Sequence, residues 1–392
     1  MSLPLGHEIT TFFKSHPEHV VNNLWVVTQG IFSAKSTNLN RVKDELGQIL
    51  GNQSETKPES NYKRLIRFFQ LPDADKHCLT KSLLCIGFCV LGLKGRKPRY
   101  LTLDGTSWEY GAKKIHLLTL GVVIRGVSIP ICWEDLDKKG ASNYSERKAL
   151  LNRACRWYNL RGMILLADRE YLGEKWFKYL KCNGLDFVIR LKRHVYREYV
   201  DTQRSVTGKE FKHQKWRYSG MEKEAAKSHY KTTGVAKQIR ILDEKYTFVV
   251  FKNPKDDPKE PLVYFLSSLS QKRKIVKFYP IRWKIECCFK HLKSNGFNLE
   301  DLNFKNSGKI KLMMAIVSFL YVLCIHQGLI AYATFKKSDF KKYRNGTTTL
   351  AVSIFRKGKA LLTGLFHHLK SFVRFLSAVL KRKKPPNWVH VQ

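Results

Sequence analysis

The segment 163–171 reads MILLADREY, and it decides the fold class because five apolar residues run directly into the carboxylate of Asp168. A short, fully apolar run of this kind is typical of a buried β-strand, so we predict a strand over 163–167 that ends at Asp168. Residues 142–160 and 170–184 have helical apolar spacing, and LDFVIRL at 185–191 predicts a second buried strand. This alternation of strands and helices predicts a mixed α/β sheet.

Upstream of this segment the sequence is β-rich, and before that it is helical. RYLTLDG at 99–105 predicts a short strand that ends on Asp104. Two β-like runs follow and meet at Arg125 and Gly126, which predict a hairpin turn. Residues 1–97 are polar with helical spacing of their apolar side chains, and they predict a separate helical N-terminal domain.

Downstream of residue 191 the α/β pattern is interrupted. Residues 192–260 alternate basic segments with β-like ones such as IRILDEKYTFVVF, and they predict a β-rich insertion. The α/β core would then consist of 98–191 and 261–335. Where the core resumes, LVYFLSS predicts a buried strand, and one long helix is expected over 271–294 with Ser270 as its N-cap.

The C-terminal region 336–392 is predicted to be helical and basic. It carries 14 Lys and Arg residues against a single acid, Asp339. Six apolar residues repeat at 4-3-4-3-4 and would form one stripe of a helix, which either pairs two protomers or covers the core of its own chain. The stripe consists of Leu362, Phe366, Leu369, Val373, Leu376 and Leu380.

The charge balance of the whole chain restricts the class of partner. Lys and Arg number 71 against 32 Asp and Glu, which gives a formal net charge of +39. A compact chain with this excess repels itself unless a polyanion neutralises it. Nucleic acid is therefore the first expected partner, and an anionic membrane surface is the second.

One apolar run and the cysteines bear on the cellular compartment. LMMAIVSFLYVLCI at 312–325 is 14 residues long, too short to span a bilayer, so we predict a buried core helix. The nine cysteines contain no CxxC pair and lie mainly in apolar stretches. They predict buried side chains in a reducing cytosol, with neither disulfides nor a zinc site.

Three acids stand in settings that suit cation binding. Asp104 and Asp168 each follow a predicted buried strand, where α/β folds place their sites, and two neighbouring carboxylates favour a divalent cation. Glu286 lies in YPIRWKIECCFKHLK, where Tyr279, Arg282, Glu286 and Lys293 would share one helix face. The alternatives are a helix N-cap for Asp168, a turn residue for Asp104 and a solvated helix face with ion pairs for Glu286. Pro280 must either start that helix or kink it.

LTLDGT, LLADREY and Y-x2-R-x3-E-x6-K resemble the three acidic motifs of bacterial DDE insertion-sequence transposases, the group with a Tyr-Arg-Glu-Lys motif. The similarity in layout covers about residues 99 to 335. The resemblance implies a ribonuclease-H-like core, with three catalytic acids that hold two Mg²⁺ (or Mn²⁺) ions: Asp104, Asp168 and Glu286. It also implies DNA contacts by four further residues: Tyr279, Arg282, Trp283 and Lys293.

The resemblance further implies an enzyme that cuts and joins DNA at insertion-sequence ends, by cut-and-paste transposition that can include hairpin intermediates. Its partners would be terminal inverted repeats and target DNA, with a homodimer in the DNA complex. The helical domain 1–97 would bind the DNA ends or cap the core. The expected location is the bacterial cytoplasm at the nucleoid, with no membrane. A catalytically inactive DNA-binding regulator and a basic membrane-associated protein are the alternatives.

Secondary DNA contacts are expected within the predicted insertion. Trp216 and Tyr218 lie among Lys212, Lys215 and Arg217, a mixture of aromatic and basic side chains used on single strands. A solvated surface is the alternative. Arg169 and Glu170, beside Asp168, are either supports of the acid site or exposed charges at a helix start.

Overall fold

The computed structural model describes residues 5–51, 57–93, 96–206, 221–227, 234–241, 244–253, 257–334, 336, 339–343, 346 and 348–390. Its strands are β1 (Tyr100–Tyr110), β2 (Lys113–Ile124), β3 (Val127–Asp135), β4 (Ile164–Ala167), β5 (Asp186–Leu191), β6 (Val235–Ile241), β7 (Glu244–Lys252), β8 (Leu262–Ser267), β9 (Phe340–Lys342) and β10 (Thr348–Leu350). Its helices are α1 (His7–Thr10), α2 (Glu18–Ala34), α3 (Leu39–Leu50), α4 (Pro58–Phe69), α5 (Asp73–Leu91), α6 (Tyr144–Trp157), α7 (Glu174–Cys182), α8 (Arg193–Val206), α9 (Lys272–Phe278), α10 (Trp283–Leu292), α11 (Ser307–Ala331), α12 (Ile354–Leu365) and α13 (Leu369–Leu380), besides a helical stretch at 221–227.

The chain divides into two compact units. The sheet unit consists of Pro98–Thr106 and Leu118–Cys287. The helical unit consists of Met1–Lys97, Ser107–Leu117 and Cys288–Gln392. The mixed α/β class predicted from the sequence is confirmed, with a large mixed sheet and many helices.

The eight-stranded sheet has the order β3-β2-β1-β4-β5-β8-β7-β6. Strands β1, β4 and β5 are parallel, while β8 joins β5, and β7 joins β8, in antiparallel fashion. The predicted hairpin turn between β2 and β3 is confirmed, because Arg125 and Gly126 both have positive φ, 49° and 80°. That pair of angles is what a tight two-residue hairpin turn requires.

The register between β1 and β4 positions two of the acids. Leu103 pairs with Ala167 as the last step of their parallel ladder, so Asp104 and Asp168 follow on adjacent strands. Strand β4 ends at Ala167, as predicted, but β1 continues to Tyr110. The prediction that Asp104 ends a strand is therefore wrong, since β1 runs on to Tyr110 after its ladder with β4 has ended at Leu103.

The segment 192–260 is less purely β-like than expected. It begins with the helix α8, whose Tyr196 ring packs against the rings of Phe248 and Tyr264, 5.4 and 4.8 Å away between centroids. Its strands β6 and β7 extend the main sheet beside β8. The boundaries chosen for an insertion stay a prediction.

The long helix expected over 271–294 is interrupted, and the prediction of one continuous helix is wrong. Helix α9 ends at Phe278, a 3-10 turn occupies Tyr279–Arg282, and α10 begins at Trp283. Pro280 accounts for the break, because it lacks the N–H that a continuous α-helix would use and its ring clashes with the preceding turn. Ser270 is not the N-cap either, since the helix is capped at Gln271 without a side-chain hydrogen bond.

The helical unit is organised around α11, which packs against α2, α5 and α12. Among the described residues it is the one helix long and apolar enough to cross a membrane by length and composition alone, and 78% of its most apolar window is buried within the protein. The helix has 25 residues, so it extends beyond the 14-residue apolar run on both sides. Its burial nevertheless agrees with the predicted core helix.

The apolar stripe of the C-terminal region belongs to two helices. Helix α12 ends at Leu365 and α13 begins at Leu369, with Phe366 between them, so the prediction of one continuous helix is wrong. All six side chains of the stripe are buried within this one chain. They therefore cover the core of their own chain, which was the second of the two alternatives.

Candidate active site

Asp104 lies within β1 and is mostly buried. Its Oδ1 accepts a hydrogen bond from the backbone N–H of Gly105 at 2.9 Å, and its Oδ2 accepts one from Nη1 of Arg282 at 3.0 Å. The alternative that Asp104 is a turn residue is wrong, because the strand continues on both sides of it.

Asp168 directly follows β4 and is half-buried. Its Oδ1 accepts a hydrogen bond from the backbone N–H of Arg169 at 2.6 Å, and its carbonyl oxygen accepts one from the N–H of Tyr171. The alternative of a helix N-cap is wrong, because α7 begins only at Glu174 and its N-cap is Gly173. The carboxylate of Asp168 is therefore not used to start a helix.

Glu286 is joined to the same cluster through Arg282. Nη2 of Arg282 donates to Oε1 of Glu286, while Nη1 of Arg282 donates to Asp104. One guanidinium thus bridges two carboxylates, and the side chains of Arg282, Asp104 and Glu286 are only 12%, 19% and 27% exposed. The i, i+4 ion pair of the alternative is present between Arg282 and Glu286, but Arg282 also pairs with Asp104 of another element, and all three side chains are only partly exposed.

Tyr279 lies beneath this cluster. Its ring packs against Phe265 at 4.6 Å between centroids, and the guanidinium of Arg282 lies over it at 5.9 Å. Its buried hydroxyl has no well-formed hydrogen bond among the described residues. A 3-10 turn occupies Tyr279–Arg282, so the single α-helical face predicted from the sequence is distorted. Tyr279, Arg282 and Glu286 nevertheless lie close together.

The charges of the cluster act on one another. Burial raises the pKa of Asp104 to about 6 against the opposing effect of Arg282, and the charges of Glu286 and Asp168 raise it further. Burial lowers the pKa of Arg282, but Tyr279 and the three acids outweigh it and the net shift is upward. Both shifts show that Asp168 lies close enough to act electrostatically on Asp104 and Arg282.

Sequence reasoning missed Tyr171, although it stands in the quoted MILLADREY segment. Its side chain is fully buried, and its hydroxyl has no hydrogen-bond partner among the described residues. Burial raises the pKa of Tyr171 well above its ordinary value, and the charge of Asp104 adds to that effect. The signal that could have found it is its position three residues after Asp168, where the turn that follows β4 brings the chain back.

The remaining predicted site residues are placed differently. Trp283 is 49% exposed at the start of α10. Lys293 belongs to the helical unit, where its Nζ donates to the carbonyl of Ser107 at 3.1 Å and pairs with Glu300 at 2.7 Å. The same ammonium lies over the ring of Trp108 at 5.7 Å. Lys293 is thus already engaged by three groups of its own unit.

The arrangement of acids differs from a preformed metal centre. Among the described residues, no group of three or more His, Cys, Asp or Glu side chains is positioned to hold a metal ion. Two of the acids instead share the guanidinium of Arg282. The donor atoms themselves are carboxylate oxygens, the ligands that hard divalent cations prefer.

The two charges beside Asp168 have structural partners. Nη1 of Arg169 pairs with Glu260 at 3.4 Å, and Oε1 of Glu170 accepts a hydrogen bond from the N–H of Ser142 at 3.3 Å. The secondary DNA contacts expected from Trp216, Tyr218, Lys212, Lys215 and Arg217 lie outside the described residues.

Comparison with known proteins identifies the family. A solved structure described as the cryo-EM structure of piggyBac transposase synaptic complex with hairpin DNA is 12% identical, with a TM-score of 0.40, over 96% of this chain and 78% of that chain. No curated protein is similar enough to this chain to count as a relative. A family model described as transposase DDE domain matches residues 95–323, more than half of the chain and all three acids. The chain belongs to the DDE transposase family and is a DNA-transposing enzyme.

Proposed function

We propose that this chain cuts and joins DNA at the ends of a bacterial insertion sequence by metal-dependent phosphoryl transfer. Asp104, Asp168 and Glu286 are the proposed catalytic residues. The observation that carries the proposal is that Asp104 of β1 and Glu286 of α10 share the guanidinium of Arg282, while Asp168 follows directly on β4, the strand beside β1. Asp104 and Glu286 are 182 positions apart in the chain, so a shared guanidinium between them is a tertiary feature and not a product of local sequence.

The proposed cofactor is a pair of Mg²⁺ or Mn²⁺ ions held by the same three carboxylates. Two points support the fit: the donors are oxygens, and the cluster already places a cation, the guanidinium of Arg282, between Asp104 and Glu286. When bound, such ions activate a water or a 3′-hydroxyl and stabilise the leaving oxygen of an in-line displacement.

The chain's own residues prepare the site in three ways. The N–H of Gly105 and the guanidinium of Arg282 orient the two oxygens of Asp104. The pKa of Asp104, about 6, leaves that carboxylate mostly ionised at neutral pH and available to a cation. Tyr171 is fully buried and lies close enough to feel the charges of Asp104 and Asp168, so it would help to keep water from that part of the site.

The proposed DNA contacts are Tyr279, Arg282, Trp283 and Lys293. Trp283 is exposed enough to meet a displaced base. Arg282 can bind a phosphate once it gives up one of its carboxylates, and Lys293 can do so once it leaves Glu300. Arginine suits this exchange because its planar donors match carboxylate and phosphate equally well.

The remaining features of the proposal follow from the resemblance of the three acidic motifs to those of DDE insertion-sequence transposases. The core is ribonuclease-H-like, and the order β3-β2-β1-β4-β5 with parallel β1, β4 and β5 supports it. The substrates are terminal inverted repeats and target DNA, the acting form is a homodimer, and hairpin intermediates are formed. The protein works at the nucleoid of the bacterial cytoplasm, and the burial of α11 supports a function away from membranes.

The test separates cleavage from binding. Glu286→Gln should reduce strand cleavage in Mg²⁺ by roughly a thousandfold or more, while binding to the element's ends stays within about twofold, because only the metal-holding charge is lost. Cleavage is measured on labelled DNA that carries the ends, and binding by fluorescence anisotropy. The matched control is Glu244→Gln, an exposed acid of the same sheet that pairs with Lys181.

Two outcomes would overturn the proposal. Cleavage by Glu286→Gln at close to the wild-type rate would remove Glu286 from the active site. A wild-type protein that binds the ends but leaves them uncut with either metal would establish the inactive regulator instead.

A further inference from the structure

A two-stranded hairpin in the C-terminal region lies outside the eight-stranded sheet. It is formed by β9 and β10, in which Phe340, Lys341 and Lys342 pair with Leu350, Thr349 and Thr348. We propose that this hairpin is a second DNA-binding element, which contacts duplex DNA through Lys341, Lys342 and Tyr343. The proposal goes beyond the chemistry of the acid site and rests only on the chain being a DNA-transposing enzyme.

The basic and aromatic side chains of the hairpin lie on both of its faces. Side chains alternate along a strand, so Lys341 and Tyr343 share one face while Phe340 and Lys342 share the other. The ammonium of Lys341 lies over the ring of Tyr343 at 5.5 Å, which confirms that these two side chains are neighbours. Each face therefore carries one lysine and one aromatic ring.

These side chains face solvent. All three residues of β9 are exposed, and the rings of Phe340 and Tyr343 are 40% and 47% exposed. Thr348 and Thr349 on the opposite strand are exposed as well. An isolated two-stranded hairpin is only marginally stable in water, and a bound partner that covered these two rings would stabilise it.

The base of the hairpin is nevertheless fixed to the helical unit. The N–H of Ala351 donates to the carbonyl of Asp339 at 2.8 Å and closes the strand pair. Just beyond it, the hydroxyl of Tyr332, which follows α11, donates to the carbonyl of Val352 at 2.5 Å. The hairpin is thus an anchored element with exposed side chains, and binding a partner would not require it to fold first.

The charge of this region specifies the partner. Residues 336–392 contain 14 Lys and Arg against Asp339 alone, and one oxygen of Asp339 accepts a hydrogen bond from the N–H of Lys336. Neither Lys341 nor Lys342 forms an ion pair with a carboxylate anywhere in the part of the chain that the structure describes. Among the described residues, no carboxylate neutralises them, so their charges can pair with an anionic partner.

Duplex DNA fits both the charge and the shape. The major groove is wide enough to admit a two-stranded β-ribbon, and lysines on such a ribbon reach the phosphates on either side. Threonine hydroxyls and an exposed tyrosine add hydrogen bonds to phosphates and base edges. An anionic membrane would also neutralise the lysines, but it offers no base edges to the hydroxyls of Thr348 and Thr349. Membrane binding is therefore one of the outcomes that the test distinguishes.

The test is the salt dependence of DNA binding by the full-length protein. Lys341→Gln combined with Lys342→Gln should weaken binding to duplex element ends by about tenfold and reduce the slope of log K against log salt by about 2, because each phosphate contact releases counterions. Tyr343→Ala should weaken binding without changing the slope. The melting temperature should stay unchanged in both, because the altered side chains are exposed.

Two matched variants serve as controls. Lys175→Gln with Lys178→Gln removes the same charge from two exposed positions of α7 and should leave the slope within about 0.5 of wild type. Lys341→Arg with Lys342→Arg retains the charge and should bind as wild type does. If the glutamine variant melts early, Tyr343→Ala still decides the matter, because wild-type affinity in that variant would overturn the proposal.

The outcomes are separable from those of the acid site. An unchanged slope in the Lys341 and Lys342 variant, or an equal drop in the α7 control, would overturn the proposal. Unchanged DNA binding together with lost binding to vesicles of phosphatidylserine and phosphatidylcholine would assign the hairpin to a membrane. Failure of Glu286→Gln to block cleavage would refute the active site but leave these slopes unaffected.

Discussion

The sheet unit and the helical unit have different kinds of contact at their centres. In the sheet unit, the guanidinium of Arg282 holds the carboxylates of Asp104 and Glu286. In the helical unit, α11 and α12 touch backbone to backbone, and a Cβ added at Gly358 would lie 1.8 Å from the carbonyl oxygen of Cys324. An ion pair can exchange one partner for another ion, whereas a backbone contact allows no replacement. The contact at the acid motifs can therefore be exchanged for a bound ion, whereas the contact between α11 and α12 is permanent.

The largest effect is expected from Arg282→Ala, which would leave two carboxylates of the sheet unit without their cation. We expect the metal-free protein to lose about 3 kcal/mol of unfolding free energy, because breaking a largely buried ion pair leaves uncompensated charge. A divalent cation should recover part of that loss by replacing the guanidinium. Chemical denaturation with and without Mn²⁺ measures both quantities.

The control for Arg282 is an exposed ion pair of the helical unit. Arg41 pairs with Asp301 at 2.9 Å, with the arginine side chain 62% exposed. Arg41→Ala should cost less than about 1 kcal/mol and should show no Mn²⁺ response, since solvent screens such a pair. Equal losses in the two variants would contradict a special role for Arg282 in neutralising the acids.

A somewhat smaller effect is expected from Gly358→Ala in α12. The added methyl group would also lie 2.6 Å from the backbone nitrogen of Gly328, so the two helices must move apart. We expect a loss of about 2 kcal/mol of unfolding free energy, typical of overpacking in a close-fitting core. Thermal or denaturant unfolding of the full chain measures it.

Gly364→Ala is the matched control on the same helix. Nothing lies within 4 Å of a Cβ at Gly364, so alanine should stabilise the chain by up to about 1 kcal/mol through its better helix propensity. The two substitutions should therefore have opposite signs. If both stabilise the chain, the close approach of α11 and α12 is not a structural constraint.

The sequence was most informative about local secondary structure, where one short segment is enough to determine a strand or a turn. The apolar run before Asp168 predicted β4 to within a residue, and Arg125 with Gly126 between two β-like runs predicted a hairpin turn. The acid motifs are local patterns, so the sequence could propose Asp104, Asp168 and Glu286 as a catalytic set, and that assignment stays a prediction.

The sequence was least informative about features that depend on contacts between distant segments, such as strand order and ion pairs between elements. Nothing local shows that β6 and β7 join the main sheet next to β8, because edge pairing depends on tertiary contacts. The bridge from Arg282 to Asp104 spans 178 residues, and a helical wheel cannot represent it. Pro280 indicated a disturbance in the helix, but the wheel could not tell a kink from a start.

The measurement that tests the central claim most directly is single-turnover cleavage in Mg²⁺ by Asp104→Asn, Asp168→Asn, Glu286→Gln and the double variant of Asp104 and Glu286. If the three acids act as one unit, each single change lowers cleavage to the same background and the double change lowers it no further. A single variant that stays within about tenfold of wild type, or a double variant whose losses multiply, would contradict one shared site.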